Sequence, residues 1–329
     1  MRLACVSAAV ACGLIAALSR PTFAEPPASP LSGSDLPAIN YDRPSFAVLS
    51  GGRRLAFYCA GQGSPAVIFE AGLGMSASVW RKVQPAVAAK TTSCSYDRAG
   101  YGHSDGGPMP RDAAHVVADL HAGLKAIGLR GPYVLVAHSL GAYDAQLFAN
   151  LHRDQVAGIV LVDPEVDDAE LPFRRASTAW AKIADREEAE NRTCIGAAAE
   201  GRMHPGDPTY EKCGSPPPNS PLANQAMAQA VLSEDDSQMA SFRQVRATRK
   251  SYGTLPLVVL TAGVRSGEEG LPAEDRAALN RVWLTGHQNL AKLSSVGFDR
   301  IVDGSPHLIQ FAKPDAVIGA ISVVLAQPR

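Results

Sequence analysis

The chain has 329 residues, of which 46% are hydrophobic and 19% charged, with a formal net charge of −1. That suits one large domain with a substantial core, and the charge is too balanced to attract nucleic acid or an anionic membrane. The sequence carries no internal repeat and no phosphate-binding glycine signature.

The first predicted element is a leader. Arg2 precedes an apolar stretch from Leu3 to Leu18, and Thr22-Phe-Ala24 comes just before Glu25. This pattern predicts a secretory signal peptide over residues 1–24, cleaved after Ala24. A single-span anchor is the alternative, but the run is short for one and is interrupted by Ser7 and Gly13. Val10-Ala-Cys12 lies inside the apolar run rather than at its end, so it makes a poor lipoprotein site. Cleavage removes Arg2 and Arg20 and leaves a mature chain with more acid than base. No later segment is apolar for long enough to span a membrane, so a secreted or periplasmic protein is expected. Residues 25–44 are rich in Pro and Ser and read as an extended lead-in.

Strand-like runs then recur at Phe46–Leu49, Arg54–Cys59, Ala66–Glu70, Thr92–Tyr96, Tyr133–Ala137, Ala157–Val162, Pro256–Thr261 and Asp299–Val302. Helix-like segments lie between most of them: Val79–Ala89, Asp112–Ile127, Ala142–Leu151, Arg276–Leu293 and Asp315–Leu325. After the opening hairpin this alternation predicts a mostly parallel sheet covered on both faces. Ligands bind such sheets beyond the carboxyl ends of the strands. Between Val162 and Pro256 the pattern breaks. Pro172–Glu200 and Leu222–Lys250 look helical, and Gly201–Pro221 between them is dense in Gly, Pro and Asn.

The most informative run is Tyr133-Val-Leu-Val-Ala-His-Ser-Leu-Gly-Ala142. Its first half reads as a buried strand, and the residues after Gly141 are apolar at helical spacing. Ser139 therefore falls on a sharp strand-to-helix turn. Ala137 and Gly141, two residues to either side, let the backbone pass closely. A nucleophile elbow needs this arrangement, which lifts a serine hydroxyl clear of the sheet at a helix N-terminus.

Three further motifs, in order, make the segment from about Phe46 to the C-terminus resemble the α/β-hydrolase superfamily. Ala66-Val-Ile-Phe-Glu-Ala-Gly-Leu-Gly74 is similar to that family's third strand and the loop after it, with Ala71-Gly72 in place of the usual His-Gly. Thr92-Ser-Cys-Ser-Tyr-Asp-Arg-Ala-Gly-Tyr-Gly-His-Ser104 resembles the fourth strand and its D-x-x-G-x-G-x-S turn. Gly304-Ser-Pro-His-Leu-Ile-Gln-Phe-Ala-Lys-Pro314 resembles the late loop that delivers the catalytic histidine. The elbow itself departs from G-x-S-x-G by an alanine in first place.

The resemblance implies an α/β-hydrolase fold: a mostly parallel eight-stranded sheet with helices on both faces and a helical cap inserted after strand six. It divides the chain into a core of residues 45–164 and 253–329 and a cap or lid of residues 165–252. A solvated surface excursion is the plainer reading of the insertion. Cys59, Cys94, Cys194 and Cys213 survive removal of the leader, an even count that favours disulfides in an exported chain. The family's strand order would put the strand ending at Cys59 beside the one carrying Cys94, leaving Cys194–Cys213 to close a loop within the insertion. A two-pair metal site is the rival, but no C-x-x-C spacing supports it.

A serine nucleophile needs a base within reach and a third group to orient that base. Among the eight histidines, His138 adjoins the serine and points away from it in an elbow. His115 and His121 sit on a helix with a solvated reading, and His103 lies in the turn after the fourth strand. His307 alone combines a preceding strand, a Gly-Ser-Pro loop and a following helix, so it is the expected base. The family usually carries the acid after strand seven, where this chain has Val264-Arg-Ser-Gly-Glu-Glu269 and no aspartate. Some members carry it at the end of strand six, which matches Asp163. The candidates for the acid are therefore Asp163, then Glu268 or Glu269. Asp97 reads as a structural turn residue, and Glu70 as an anchor for the loop after it. The oxyanion donors implied by the resemblance are the backbone N–H groups of Leu73 and Leu140.

The implied activity is that of an exported serine hydrolase, without cofactor or metal, cleaving a carboxylic ester of a small organic substrate. Serine at position 139 speaks against the dehalogenase and epoxide-hydrolase branches, which use aspartate there. A peptidase, C–C hydrolase or acyltransferase of the same fold, or a non-catalytic ligand-binding member, are the alternatives.

Overall fold

The computed structural model describes residues 36–166, 170–217, 220–265 and 270–327, so the predicted leader and Glu268 and Glu269 lie outside the described residues. Strands β1 (Ser45–Val48), β2 (Arg54–Ala60), β3 (Ala66–Glu70), β4 (Ser93–Tyr96), β5 (Tyr133–His138), β6 (Val156–Val162), β7 (Leu257–Ala262) and β8 (Phe298–Val302) form one sheet among these residues, in the order β1-β2-β4-β3-β5-β6-β7-β8. The β1–β2 and β2–β4 pairs are antiparallel and all the others parallel.

Alternate residues of the central strands feed two separate cores. Tyr133, Leu135 and Ala137 of β5 face one side with Ile159 and Leu161 of β6, while Val134, Val136, Val160 and Val162 face the other. Both sides are apolar, so both must be covered. Helices α1 (Gln84–Ala88), α2 (Ala113–Ala126) and α3 (Gly141–Leu151) follow β3, β4 and β5 in turn. Between β6 and β7 run α4 (Glu170–Ala176), α5 (Thr178–Ala199), α6 (Pro208–Cys213), α7 (Gln225–Asp236) and α8 (Gln238–Thr248). The remaining helices are α9 (Ala273–Ala291), α10 (Ile309–Ala312) and α11 (Pro314–Leu325). No helix among the described residues is long and apolar enough to cross a membrane.

Three expected helices are broken. Val79–Ala89 divides into a 3-10 turn at Ala77–Trp80 and α1, because Pro85 has no N–H to offer the Arg81 carbonyl. Pro172–Glu200 breaks at Ser177, whose hydroxyl accepts from the Trp180 amide at 2.9 Å and so starts α5 afresh. Leu222–Lys250 breaks at Ser237, which ends α7 and begins α8. The expected loop at Gly201–Pro221 holds a short helix, α6, with Pro208 in its first turn. Phe242 and Val245 of α8 join the main core, so this helix is packed on the sheet domain as well as following α7.

Cys59 and Cys94 are direct cross-strand partners of β2 and β4 and are joined by a disulfide. A second disulfide joins Cys194 of α5 to Cys213 of α6. With all four thiols bonded, the metal-site alternative has no ligands left.

Candidate active site

Parallel register brings the sheet's functional ends level. His138 pairs with Val162 and Glu70 with Ala137, so the chain leaves β3, β5 and β6 side by side. Ser139 and Asp163 are the next residues on β5 and β6. They are the two non-glycine residues with positive φ among the described residues, at 51° and 41°. Such angles cost of order 1–3 kcal/mol each and persist where the surroundings impose them. The surroundings here are hydrogen bonds: the Ser139 amide donates to the Val162 carbonyl at 3.2 Å, and the Ser139 carbonyl accepts from Ala142 and Glu165 at 3.0 Å each. Gly141 is needed at the turn, because a Cβ there would lie 2.5 Å from the Ala71 carbonyl oxygen.

Asp163 is buried and fully hydrogen-bonded. Its Oδ2 lies 2.6 Å from His307 Nδ1, and its Oδ1 accepts from the Ala262 amide at 2.8 Å and from Trp283 Nε1 at 3.1 Å. Burial pushes the carboxyl upward, but the His307 hydrogen bond and charge, with the Ala262 amide, hold it below the usual aspartate range. The His307 side chain is 39% exposed, turned to the carboxyl ends of the strands. Ser139 and Leu140 are half-buried. Asp163 and His307 are thus joined directly, whereas the Ser139 hydroxyl makes no hydrogen bond among the described residues. Nucleophile–base contacts are commonly loose before substrate binds.

The His138 ring lies against His307. Its Nε2–H donates to the His307 carbonyl at 3.2 Å, and the two rings stand 4.6 Å apart between centroids at 46°. On the other side of Asp163, His287 Nε2 donates to the Pro164 carbonyl at 3.0 Å, and its Nδ1 meets Thr261 Oγ1 at 2.6 Å. Trp283, His138 and His287 are supports that no local pattern announces. Burial drives the pKa of His138 down to about 3 and that of His287 to about 4.

A sign follows for acid stability. An exposed histidine in the unfolded chain titrates near 6.5, so between pH ~6.5 and ~4 the unfolded state binds protons that the folded state does not. Stability therefore falls as pH drops through that window, ahead of the carboxylates. Two such groups are expected to remove about 2–3 kcal/mol between pH 7 and pH 5.5. Urea midpoints measured at the two pH values check this, and equal midpoints would contradict neutral burial of both rings.

The loop after β3 lies across the elbow. A Cβ on Gly72 would lie 2.7 Å from His138 Nδ1 and 3.2 Å from Ser139 Cβ. Leu73 packs against the small buried cluster of Tyr101, Met227, Ala230 and Val231. Neither the Leu73 nor the Leu140 amide meets a protein acceptor among the described residues. Glu70 is buried and accepts from Arg98 Nη1 at 2.9 Å and from the Tyr96 hydroxyl, which ties it to its loop. Asp97 accepts from the Ala77 and His103 amides and from the Tyr58 hydroxyl at 2.8 to 3.0 Å, a structural set. His103 meets that same hydroxyl at 3.0 Å, His115 pairs with Asp112, and His121 stacks on His152.

Residues 67–320 match the family model described as the alpha/beta hydrolase family. The uncharacterized protein YqjL of Bacillus subtilis is 34% identical over 108 residues, 33% of this chain and 43% of that protein. This chain therefore spans less than half of that relative's length. A crystal structure of DBJA is similar with a TM-score of 0.62 at 17% identity, covering 87% of this chain and 100% of the other. A thermophilic esterase from Thermogutta terrifontis gives a TM-score of 0.51 at 21% identity, covering 86% and 98%. Both structural likenesses are likenesses of fold. With its sheet order, its strained elbow and a match running from β3 into α11, the chain belongs to the alpha/beta hydrolase family.

Proposed function

We propose that this protein is an exported serine hydrolase that cleaves a carboxylic ester of a small organic substrate through an acyl-enzyme on Ser139. The observation that carries the reading is a serine held at φ 51° at the end of β5, one residue after His138, whose ring stands 4.6 Å from that of His307, while His307 Nδ1 is 2.6 Å from a buried carboxylate. In this reading Ser139 Oγ attacks the carbonyl, His307 Nε2 takes the proton and returns it to the leaving alcohol, and Asp163 fixes the tautomer of His307. The Leu73 and Leu140 amides stabilise the oxyanion, each contributing roughly 3 kcal/mol at the transition state. Water then attacks the acyl-enzyme with His307 again as base. The helical segment 165–252 serves as a cap. Two disulfides and the N-terminal apolar run support export.

The deciding experiment is covalent labelling. A fluorophosphonate probe should form one adduct, located on Ser139 by peptide mass spectrometry; an unlabelled protein, or an adduct elsewhere, removes this reading. The oxyanion assignment has its own test in Gly72→Val. The new side chain collides with the His138 ring and the Ser139 Cβ, so kcat on p-nitrophenyl acetate should fall by about 10²-fold or more. Full turnover in that variant would mean that the loop after β3 holds no oxyanion donor.

A further inference from the structure

Arg98 ties α7 to the loop after β3. A guanidinium offers five N–H donors in one rigid plane, and here all five have acceptors. Nε and Nη2 donate to the two oxygens of Glu234 on α7 at 2.8 and 2.9 Å. Nη1 donates to Glu70 at 2.9 Å and to the Ala71 carbonyl at 2.6 Å. The second Nη2 hydrogen goes to the Gly72 carbonyl at 2.9 Å. The Arg98 and Glu234 side chains are 2% and 4% exposed, so water cannot replace a lost partner. The Tyr101 hydroxyl donates to Glu234 at 2.7 Å and completes the cluster.

The consequence for the backbone comes from peptide geometry. In a trans peptide unit the C=O and the N–H point to opposite sides. Arg98 draws the Gly72 carbonyl to itself, so the Leu73 amide of the same unit is turned away from it. Gly72 meanwhile lies against Ser139 and His138. The direction of the Leu73 N–H is thus set by a side chain that touches neither Ser139 nor His307 through any hydrogen bond of its own. Glu234 holds two of that side chain's five donors, and it comes from the segment between β6 and β7.

We propose that Arg98 is a positioning residue for the Leu73 oxyanion donor, and that Glu234 makes the segment over the sheet part of the oxyanion site as well as a wall around the substrate. This rests on the reading of Ser139 as nucleophile. Glu234→Gln replaces one acceptor oxygen by an NH2 group that faces a guanidinium donor. Arg98 must then shift toward Glu70, carrying the Ala71 and Gly72 carbonyls with it.

The test combines p-nitrophenyl acetate kinetics with hydrogen–deuterium exchange of peptides covering residues 70–76. Glu234→Gln is expected to lower kcat roughly ten- to a hundredfold, below the ~10²–10³ of deleting a donor outright, with KM little changed and faster exchange in the loop. Glu234→Asp keeps the charge but draws the carboxylate back from Arg98, and should show the same pattern more weakly. It carries the test if the glutamine variant does not fold. Wild-type exchange with unchanged kcat in a folded variant overturns the proposal. So does a raised KM at constant kcat, the mark of a substrate wall alone. If the unaltered protein takes no fluorophosphonate at Ser139, the nucleophile reading fails, while the exchange rates still decide whether Glu234 holds the loop.

Discussion

Ser139→Ala is expected to abolish fluorophosphonate labelling and to lower kcat by about 10⁶-fold, as removal of a triad serine does elsewhere. The residues that follow Ser139 in the turn, Leu140, Gly141 and Ala142, carry no hydroxyl. What remains should be the residual acceleration, ~10³–10⁴ over water, from oxyanion donors and binding. The strain at this position separates chemistry from folding. Alanine is no freer than serine at φ 51°, so Ser139→Ala should keep the wild-type urea midpoint. Ser139→Gly should be equally inactive but more stable, by about 1 kcal/mol, because glycine adopts this backbone angle without the steric cost. A glycine variant no more stable than the alanine variant would mean that the elbow carries no strain. An alanine variant with appreciable turnover would remove Ser139 from the chemistry.

The sheet was legible because its signals are local: short β-branched runs separated by helical periodicity, with ends correct to a residue or two. The Ser139 turn and the His307 loop are legible for the same reason, each being a strand, a tight turn and a helix in one stretch of chain. The helix breaks at Ser177 and Ser237 are harder: Ser177 caps α5 through its hydroxyl while Ser237 makes no side-chain cap, and neither serine stands out from its neighbours in the sequence. Hardest are the partners brought together only by folding. Asp163 meets Ala262 and Trp283 across 99 and 120 residues of sequence. Arg98 meets Glu234 across 136, and His138 meets the His307 carbonyl across 169. Composition and periodicity say nothing about such pairs. The Arg98 motif was therefore readable as a turn but not as a link between that turn and α7.

Asp163→Asn is expected to lower kcat by about 10⁴-fold at neutral pH, and hydrogen-bond polarity gives the reason. The carboxylate accepts from donors on both oxygens: Ala262 and Trp283 on Oδ1, and His307 on Oδ2. An asparagine has one acceptor and one donor end. The two fixed donors on the Oδ1 side will hold the amide oxygen, so the NH2 group must face His307 Nδ1. That nitrogen can then only accept, which places the ring proton on Nε2. A histidine with its proton on Nε2 cannot take one from Ser139. The substitution is nearly isosteric and preserves the contacts of Ala262 and Trp283, so the fold should survive, and KM should change far less than kcat. Asp163→Ala removes the wrong donor along with the acceptor, leaving His307 free to adopt either tautomer. It is therefore expected to be less impaired per molecule in the correct tautomer, but less stable, since two buried donors lose their acceptor at about 1–3 kcal/mol each. Near-normal turnover of Asp163→Asn would transfer the orienting role to Glu268 or Glu269, and Glu268→Gln and Glu269→Gln would then have to show the loss instead.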